Sequence, residues 1–289
     1  MRVSVRCRAN QLSTIDNVAR KVTNMTADML LVPAAGGARR TLAAQERSQL
    51  RLAQGDVGNR LLQLMAPSDY ALLSPHLRRV PLRIGTELAV AGEPIDAAWF
   101  MEGSVAGFLD VLGDGRRLTM GLVGREGCIG WPLLMGQDSW QYGVSVVAED
   151  STALRFEAGR LLEAAEIGYG IRNLLLRYAS SFTAQMGRTI VSNLIHSVEQ
   201  RTARWILLYQ DRVRADEVVA ITHEEMGFML GVRRASITNA LHVLESDGAI
   251  RSLRGRIVIR DRARLEALAT ETYGFAEAEY RRLIGPLDD

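Results

Sequence analysis

The chain has 289 residues, with 47% hydrophobic and 24% charged residues and a formal net charge of +2. That length suits about two domains and allows a sizeable core, while the near-zero net charge by itself points to neither nucleic acid nor a membrane as partner, so local charge has to decide. No apolar run approaches the ~20 residues of a membrane span. The two cysteines, Cys7 and Cys128, form no CxxC pair and no zinc or iron–sulfur set. The expectation is a cytoplasmic protein with reduced thiols, no cofactor and no membrane partner.

Residues 1–56 are polar, and Pro33 to Gly37 reads as linker, so a disordered extension is expected there. From 57 to 168 a sensor-like domain is expected. Leu61, Leu62, Leu64 and Met65 give one helical face, and Asp69 to Val80 reads as a short helix leading into a strand. Residues 81–157 alternate short apolar runs (Trp99 to Met101, Val105 to Leu112, Val144 to Val147, Ala153 to Phe156) with glycine turns such as Gly85, Gly92, Gly103 and Gly124. Many short strands about ten residues apart predict a small antiparallel barrel or jelly roll.

Helical periodicity returns after residue 160. Ile171, Leu175, Tyr178, Phe182, Gln185 and Thr189 recur at steps of four and three, the spacing of a short coiled-coil seam. A dimerisation helix is therefore expected over 169–193, with Ile171, Leu175, Tyr178 and Phe182 at the seam. A helix packed on its own domain has the same spacing. A second amphipathic helix follows, with Val198, Ala203, Trp205, Ile206 and Leu207.

The strongest signal lies between Thr222 and Leu244. Thr222 with Glu225 three residues on is a capping box. Met226, Met229 and Leu230 form the apolar stripe of a short helix, and Gly227 leaves room for a second helix to cross. Gly231 supplies a tight turn. A second helix starts near Arg233, with Ile237, Ala240, Leu241 and Leu244 inward. This is the pattern of a helix-turn-helix, although any helical hairpin with a glycine turn shares part of it. Outward lie Arg233, Arg234, Ser236, Thr238 and Asn239; arginine pairs bidentately with guanine, and asparagine with adenine, in a major groove. Two strands joined at Arg254-Gly255 then predict a wing, whose Arg251, Arg254, Arg256 and Arg260 suit phosphate contact. Between Gly231 and Arg264 there are eight arginines and three acids, so the positive charge sits where DNA would lie. The candidate DNA-binding set is Thr222, Arg233, Arg234, Ser236, Thr238, Asn239, Arg254 and Arg256. The winged domain is expected over 194–265, with a C-terminal helical extension over 266–289.

At this point the order of parts resembles the CRP/FNR family of bacterial transcription regulators over about residues 60–264. The resemblance rests on the glycine-punctuated barrel with Glu102-Gly103-Ser104-Val105, on the long helix, on His196 to Trp205, and on Met226 to Thr238. It implies an α+β fold: a cupin-like β-roll sensor domain, a long dimerisation helix and a winged helix-turn-helix. It further implies a homodimer on a palindromic site in double-stranded DNA, with RNA polymerase as a further partner. Members that bind cyclic AMP carry a glutamate where Trp131 stands and an arginine where Gln141-Tyr142-Gly143 stands. A buried cyclic phosphate would thus lack its charge partner, and no cyclic nucleotide is expected. By the same analogy, an effector of unknown identity would sit near Gly130, Trp131, Leu133, Gln141 and Tyr142.

The chain is not expected to be an enzyme. A metal cupin needs clustered histidines, and His76, His196, His223 and His242 all lie outside the barrel strands. The competing reading is a small-molecule sensor that regulates a protein partner and carries a vestigial winged helix.

Overall fold

The computed structural model describes residues 52–111, 117–148, 150–213 and 218–287. The expected disordered extension lies outside them up to residue 51. Residues 52–56 are packed instead: a 3-10 turn at Gln54–Asp56 lets Gln54 Nε2 donate to the carbonyls of Leu62 and Met65, both at 2.8 Å, and Tyr70 Oη donates to Leu52 O. Residues 52–56 are held although their polarity predicts otherwise, because the Gln54 side-chain amide satisfies open carbonyls at the end of the first helix.

Two short helices, α1 (Arg60–Leu64) and α2 (Pro67–Leu73), precede eight strands. These are β1 (Arg78–Leu82), β2 (Glu87–Ala89), β3 (Ala97–Met101), β4 (Val105–Val111), β5 (Arg117–Val123), β6 (Cys128–Ile129), β7 (Gly143–Ala148) and β8 (Ser151–Glu157). They form two antiparallel four-stranded sheets, β1-β8-β3-β6 and β2-β7-β4-β5. In β7 the side chains of Val144, Val146 and Ala148 are buried and those between are half-buried, the alternation of a sheet with one face on a core. Glu102 ties the amino end to this roll: its carboxylate accepts from Gly58 N, Arg79 Nε and Nη2, and Thr152 Oγ1 at 2.7–2.9 Å. Burial pushes the Glu102 carboxyl up, but these donors outweigh it and hold it below the usual carboxylate value.

Helix α3 (Ala158–Ile167) leads into the 27-residue α4 (Tyr169–Ile195). The structure places the four expected seam residues of α4 elsewhere. Ile171, Leu175, Tyr178 and Phe182 are at most 2% exposed within a single chain. Phe182 stands 4.7 Å from the Phe108 ring, and the Gln185 amide pairs with the backbone of Leu122 in β5. These four residues are therefore core of the sensor domain and not a dimer seam. The misreading has a physical cause. A helix laid on a sheet buries the same three-and-four spacing as a coiled coil, and α4 carries a second such stripe. Tyr169, Asn173, Leu176, Ser180, Thr183, Gly187, Ile190 and Leu194 also alternate at four and three, and Tyr169, Ile190 and Leu194 are 75%, 61% and 78% exposed.

Helix α5 (Val198–Gln210) opens the second core. It packs with strand β9 (Val218–Val219), α6 (His223–Leu230), α7 (Arg234–Ser246), β10 (Ile250–Leu253), β11 (Arg256–Ile259) and α8 (Arg262–Ala269). The short β9 adds a third strand to the wing, in the order β10-β11-β9. This core takes in Val105, Leu122 and Ala148 of the roll, so the two parts share apolar contacts. Finally α9 (Phe275–Leu283) turns back onto α4, and Tyr280 and Leu287 join the core of the sensor domain. Tyr280 Oη donates to Glu126 O across 154 positions of sequence.

Candidate DNA interface

The hairpin of α6 and α7 is built as its local sequence dictates. Thr222 Oγ1 accepts from Glu225 N at 3.2 Å, and the Glu225 carboxylate accepts from Thr222 N at 2.8 Å, closing the capping box. Gly231 ends α6 at φ 63°, where a side chain would be strained. At Gly227 an added Cβ would lie 3.0 Å from Val232 O, so the chain beyond the turn can approach this closely only over glycine. Ile237, Ala240, Leu241 and Leu244 are buried against α5 and α6, as their spacing predicts. From α5, Arg201 donates to Leu230 O at the end of α6, supplying a partner and a positive charge where the helix leaves carbonyls open.

Arg233 caps the start of α7 in an extended conformation, and Arg233, Arg234 and Asn239 are exposed. Ser236 is half-buried. Thr238 is engaged elsewhere: its hydroxyl donates to Arg234 O at 3.1 Å and lies 3.0 Å from His223 Nδ1. Burial first, then the charges of Arg234 and His242, holds the His223 imidazole below its ordinary pKa. The His223–Thr238 contact fixes the start of α7 to α6. Thr222 is likewise spent on its cap. The outward set with free polar groups is therefore Arg233, Arg234 and Asn239. His242, exposed one turn beyond Thr238, joins it; spacing from Asn239 to the helix end could have flagged it.

The wing has the predicted form. Leu253 pairs with Arg256, leaving Arg254 and Gly255 as a two-residue turn, with Gly255 at φ 71°. Arg251, Arg254, Arg256 and Arg260 are exposed. Among the described residues, no ion pair is formed by these four or by Arg233 and Arg234. Arg262 and Arg264 differ. Arg262 pairs with Asp211 and Glu266 at 2.8 and 2.9 Å, and Arg264 with Asp261 at 3.1 Å. Six of the eight arginines counted in this stretch are thus left with their charge unopposed.

The residues expected around an effector divide into two groups. Gly130, Trp131 and Leu133 lie where β6 meets the 3-10 turn Trp131–Met135, with the Trp131 ring 6.1 Å from that of Phe182 on α4. Gln141 and Tyr142 are exposed before and at the approach to β7. Among the described residues, the cavity between the β2-β7-β4-β5 sheet and α6 and two small cavities beside Gln185 of α4 are lined by none of these five. Among the described residues, no group of three or more His, Cys, Asp or Glu is placed to hold a metal ion, and no helix is long and apolar enough to cross a membrane.

A β-roll, a long helix and a winged helix-turn-helix follow one another in this order along the described residues. Residues 200–268 match the Crp-like helix-turn-helix domain. FixK2 from Bradyrhizobium japonicum has the same fold, with 19% identity and a TM-score of 0.59 over 67% of this chain and 98% of that one. A CRP-family transcriptional regulator from Thermus thermophilus is similar at 19% identity and TM-score 0.55, over 66% and 96% of the two chains. CLP of Xanthomonas campestris, described as a c-di-GMP-responsive global regulator, is similar at 15% identity and TM-score 0.56, over 67% and 99%. A search of curated proteins returns no significant match. The chain thus carries a Crp-like helix-turn-helix DNA-binding domain on the CRP/FNR fold.

Proposed function

We propose that the protein is a sequence-specific transcription regulator that binds a palindromic DNA site as a homodimer. The carrying observation is the display of unopposed Arg233 and Arg234 with Asn239 at the start of α7, flanked by a wing with four further unopposed arginines. Side chains at the start of such a helix reach base edges in the major groove, and the wing suits the phosphates beside it. The second reading, a sensor with a vestigial winged helix, gives no reason for six exposed arginines without an ion pair on α7 and the wing.

Dimerisation is assigned to the outward stripe of α4. Ile190 and Leu194 project into solvent with Ile195 beside them. Ser180, Thr183 and Gly187 are small enough to let two helices approach closely. A parallel pair along this stripe relates the two winged domains by a two-fold axis, as a palindrome requires.

Selection of bound DNA from a random pool tests the reading. An inverted repeat with half-sites about one helical turn apart is expected, and no enrichment of any sequence would contradict it. The double substitution Ile190→Asp with Leu194→Asp places charges in the proposed seam and should give monomers by light scattering with unchanged melting. Persistence of the dimer would remove α4 from that role.

A further inference from the structure

The C-terminal segment makes a second connection between the roll and the winged part. The first is the elbow formed by His196 and Ser197, between α4, which ends at Ile195, and α5, which starts at Val198. The second leaves the winged part after α8. Tyr273 still packs on the winged core, and its Oη donates to Asp211 at the end of α5 at 2.8 Å. Gly274 then turns the chain at φ 88°, and α9 packs along α4. Tyr280 and Leu287 are 3% and 7% exposed in the core of the roll, and Arg60 of α1 donates to Pro286 O.

Elbow and segment clasp each other. His196 Nε2 lies 3.1 Å from Thr270 Oγ1, and its Nδ1 lies 3.4 Å from both Thr272 Oγ1 and Ser192 Oγ. Arg204 of α5 donates to Thr272 O at 3.0 Å. Glu126 of the roll holds both connections. Its carbonyl accepts from Tyr280 Oη at 2.9 Å, and its carboxylate pairs with Arg212 of α5 at 3.0 Å. While α9 is docked, the elbow cannot bend without breaking contacts at both ends of the segment.

The docking is also built to be reversible. Helix α9 has nine residues, too few to hold a helix alone in water, so its helical form and its docking are gained and lost together. Thr270 is, among the described residues, the one non-glycine residue with positive φ, at φ 55° and ψ −156°. That lies close to a conformation which glycine alone adopts freely, and a β-branched side chain is strained there. Undocking relieves the strain. It leaves the winged core closed, whose last buried residue is Ala269. From the roll core it takes only Tyr280 and Leu287, with Ile284 at the edge.

We propose that residues 270–287 form a strap that docks and releases as one unit. Docked, it stiffens the elbow between α4 and α5. Released, it leaves both parts folded on an elbow that bends freely, an order–disorder change of one segment. Arg233, Arg234 and Asn239 are exposed with the strap docked, so the docked form leaves the reading face open. A free elbow has to be ordered again on a duplex, so release lowers affinity for DNA. This last step rests on the function proposed above; docking and release do not.

Hydrogen exchange of the full chain, read by mass spectrometry, tests the strap. Amides of α9 should exchange as a group at least about tenfold faster than those of α4 around Leu175 and Tyr178. Protection of α9 equal to that of α4 overturns the proposal. Tyr280→Ala removes the ring from the roll core and should speed exchange in α9 and at His196 at least about threefold further, with β3 and β8 unchanged. Should that variant fold poorly, Tyr280→Phe, which keeps the ring and deletes the bond to Glu126, should speed the same two places to a smaller extent. Exchange at His196 indifferent to both substitutions, or acceleration spread evenly over the roll, overturns the hold on the elbow. On DNA selected by the unaltered chain, Tyr280→Ala should bind at least about threefold more weakly. Equal or higher affinity overturns the step to DNA alone, and a chain that enriches no DNA fails the proposed function while leaving the exchange result intact.

Discussion

Two sets of arginines in this chain are chemically identical and used in opposite ways. On α7 and the wing, Arg233, Arg234, Arg251, Arg254, Arg256 and Arg260 are exposed and form no ion pair among the described residues. Behind them, at the junction of α5 with the roll and with α9, Arg204 and Arg212 are 5% exposed. Arg212 Nε lies 3.0 Å from both Glu126 Oε1 and Leu122 O, and its Nη1 donates to Leu208 O at 2.6 Å. Burial pulls the Arg212 guanidinium down, but Glu126, Glu277 and Asp211 together push it up on balance. Arg204 donates to Thr272 O and Gln185 O, and burial pushes its pKa down to about 10. Position, not residue type, separates a charge kept for a partner from a charge consumed in holding the molecule together.

The largest expected effect lies in the buried set. Arg212→Ala leaves Glu126 without its counter-charge between α5 and the roll, and breaking such a pair costs about 3–5 kcal/mol. Denaturant unfolding should report that loss, and DNA sequence preference in the surviving folded fraction should not move. A loss below about 1 kcal/mol would show that the pair merely fills space. A smaller effect belongs to the exposed set. Arg254→Ala at the wing turn should weaken binding to all sequences alike and flatten the salt dependence of log K by about 0.9, the release of one counterion. The smallest belongs to an arginine that lies beside the wing but is already paired. Arg264→Ala should leave the salt slope unchanged, because Asp261 has taken its charge. Equal slopes for these two variants would break the distinction between free and committed arginines.

Local signals were legible and non-local ones were not. The capping box at Thr222, the turn at Gly231, the inward face of α7 and the wing turn at Arg254-Gly255 depend on residues within four positions of each other, so spacing alone places them. The barrel strands follow from their alternation and glycine turns. The role of α4 did not, because two stripes of equal period run along it and only the tertiary structure decides which meets the roll. The third wing strand, β9, has two residues, too few for any period. Helix α9 reads as a plain amphipathic helix; its return to α4, fixed by Tyr280 on Glu126 and by the Phe275 ring 4.0 Å beneath the Arg188 guanidinium, has no local signature. Thr238 looked like a base reader because it lies on the outward face, yet His223, fifteen residues away, withdraws it.

The central claim is that α7 reads bases and the wing does not. Selection of DNA from a random pool with Arg234→Ala, set beside the unaltered chain and Arg254→Ala, tests it most directly. The account predicts that Arg234→Ala loses preference at one base position in each half-site, at a cost of about 1–3 kcal/mol on the original sequence, while Arg254→Ala selects the original motif. An unchanged motif with Arg234→Ala and an altered one with Arg254→Ala would contradict it.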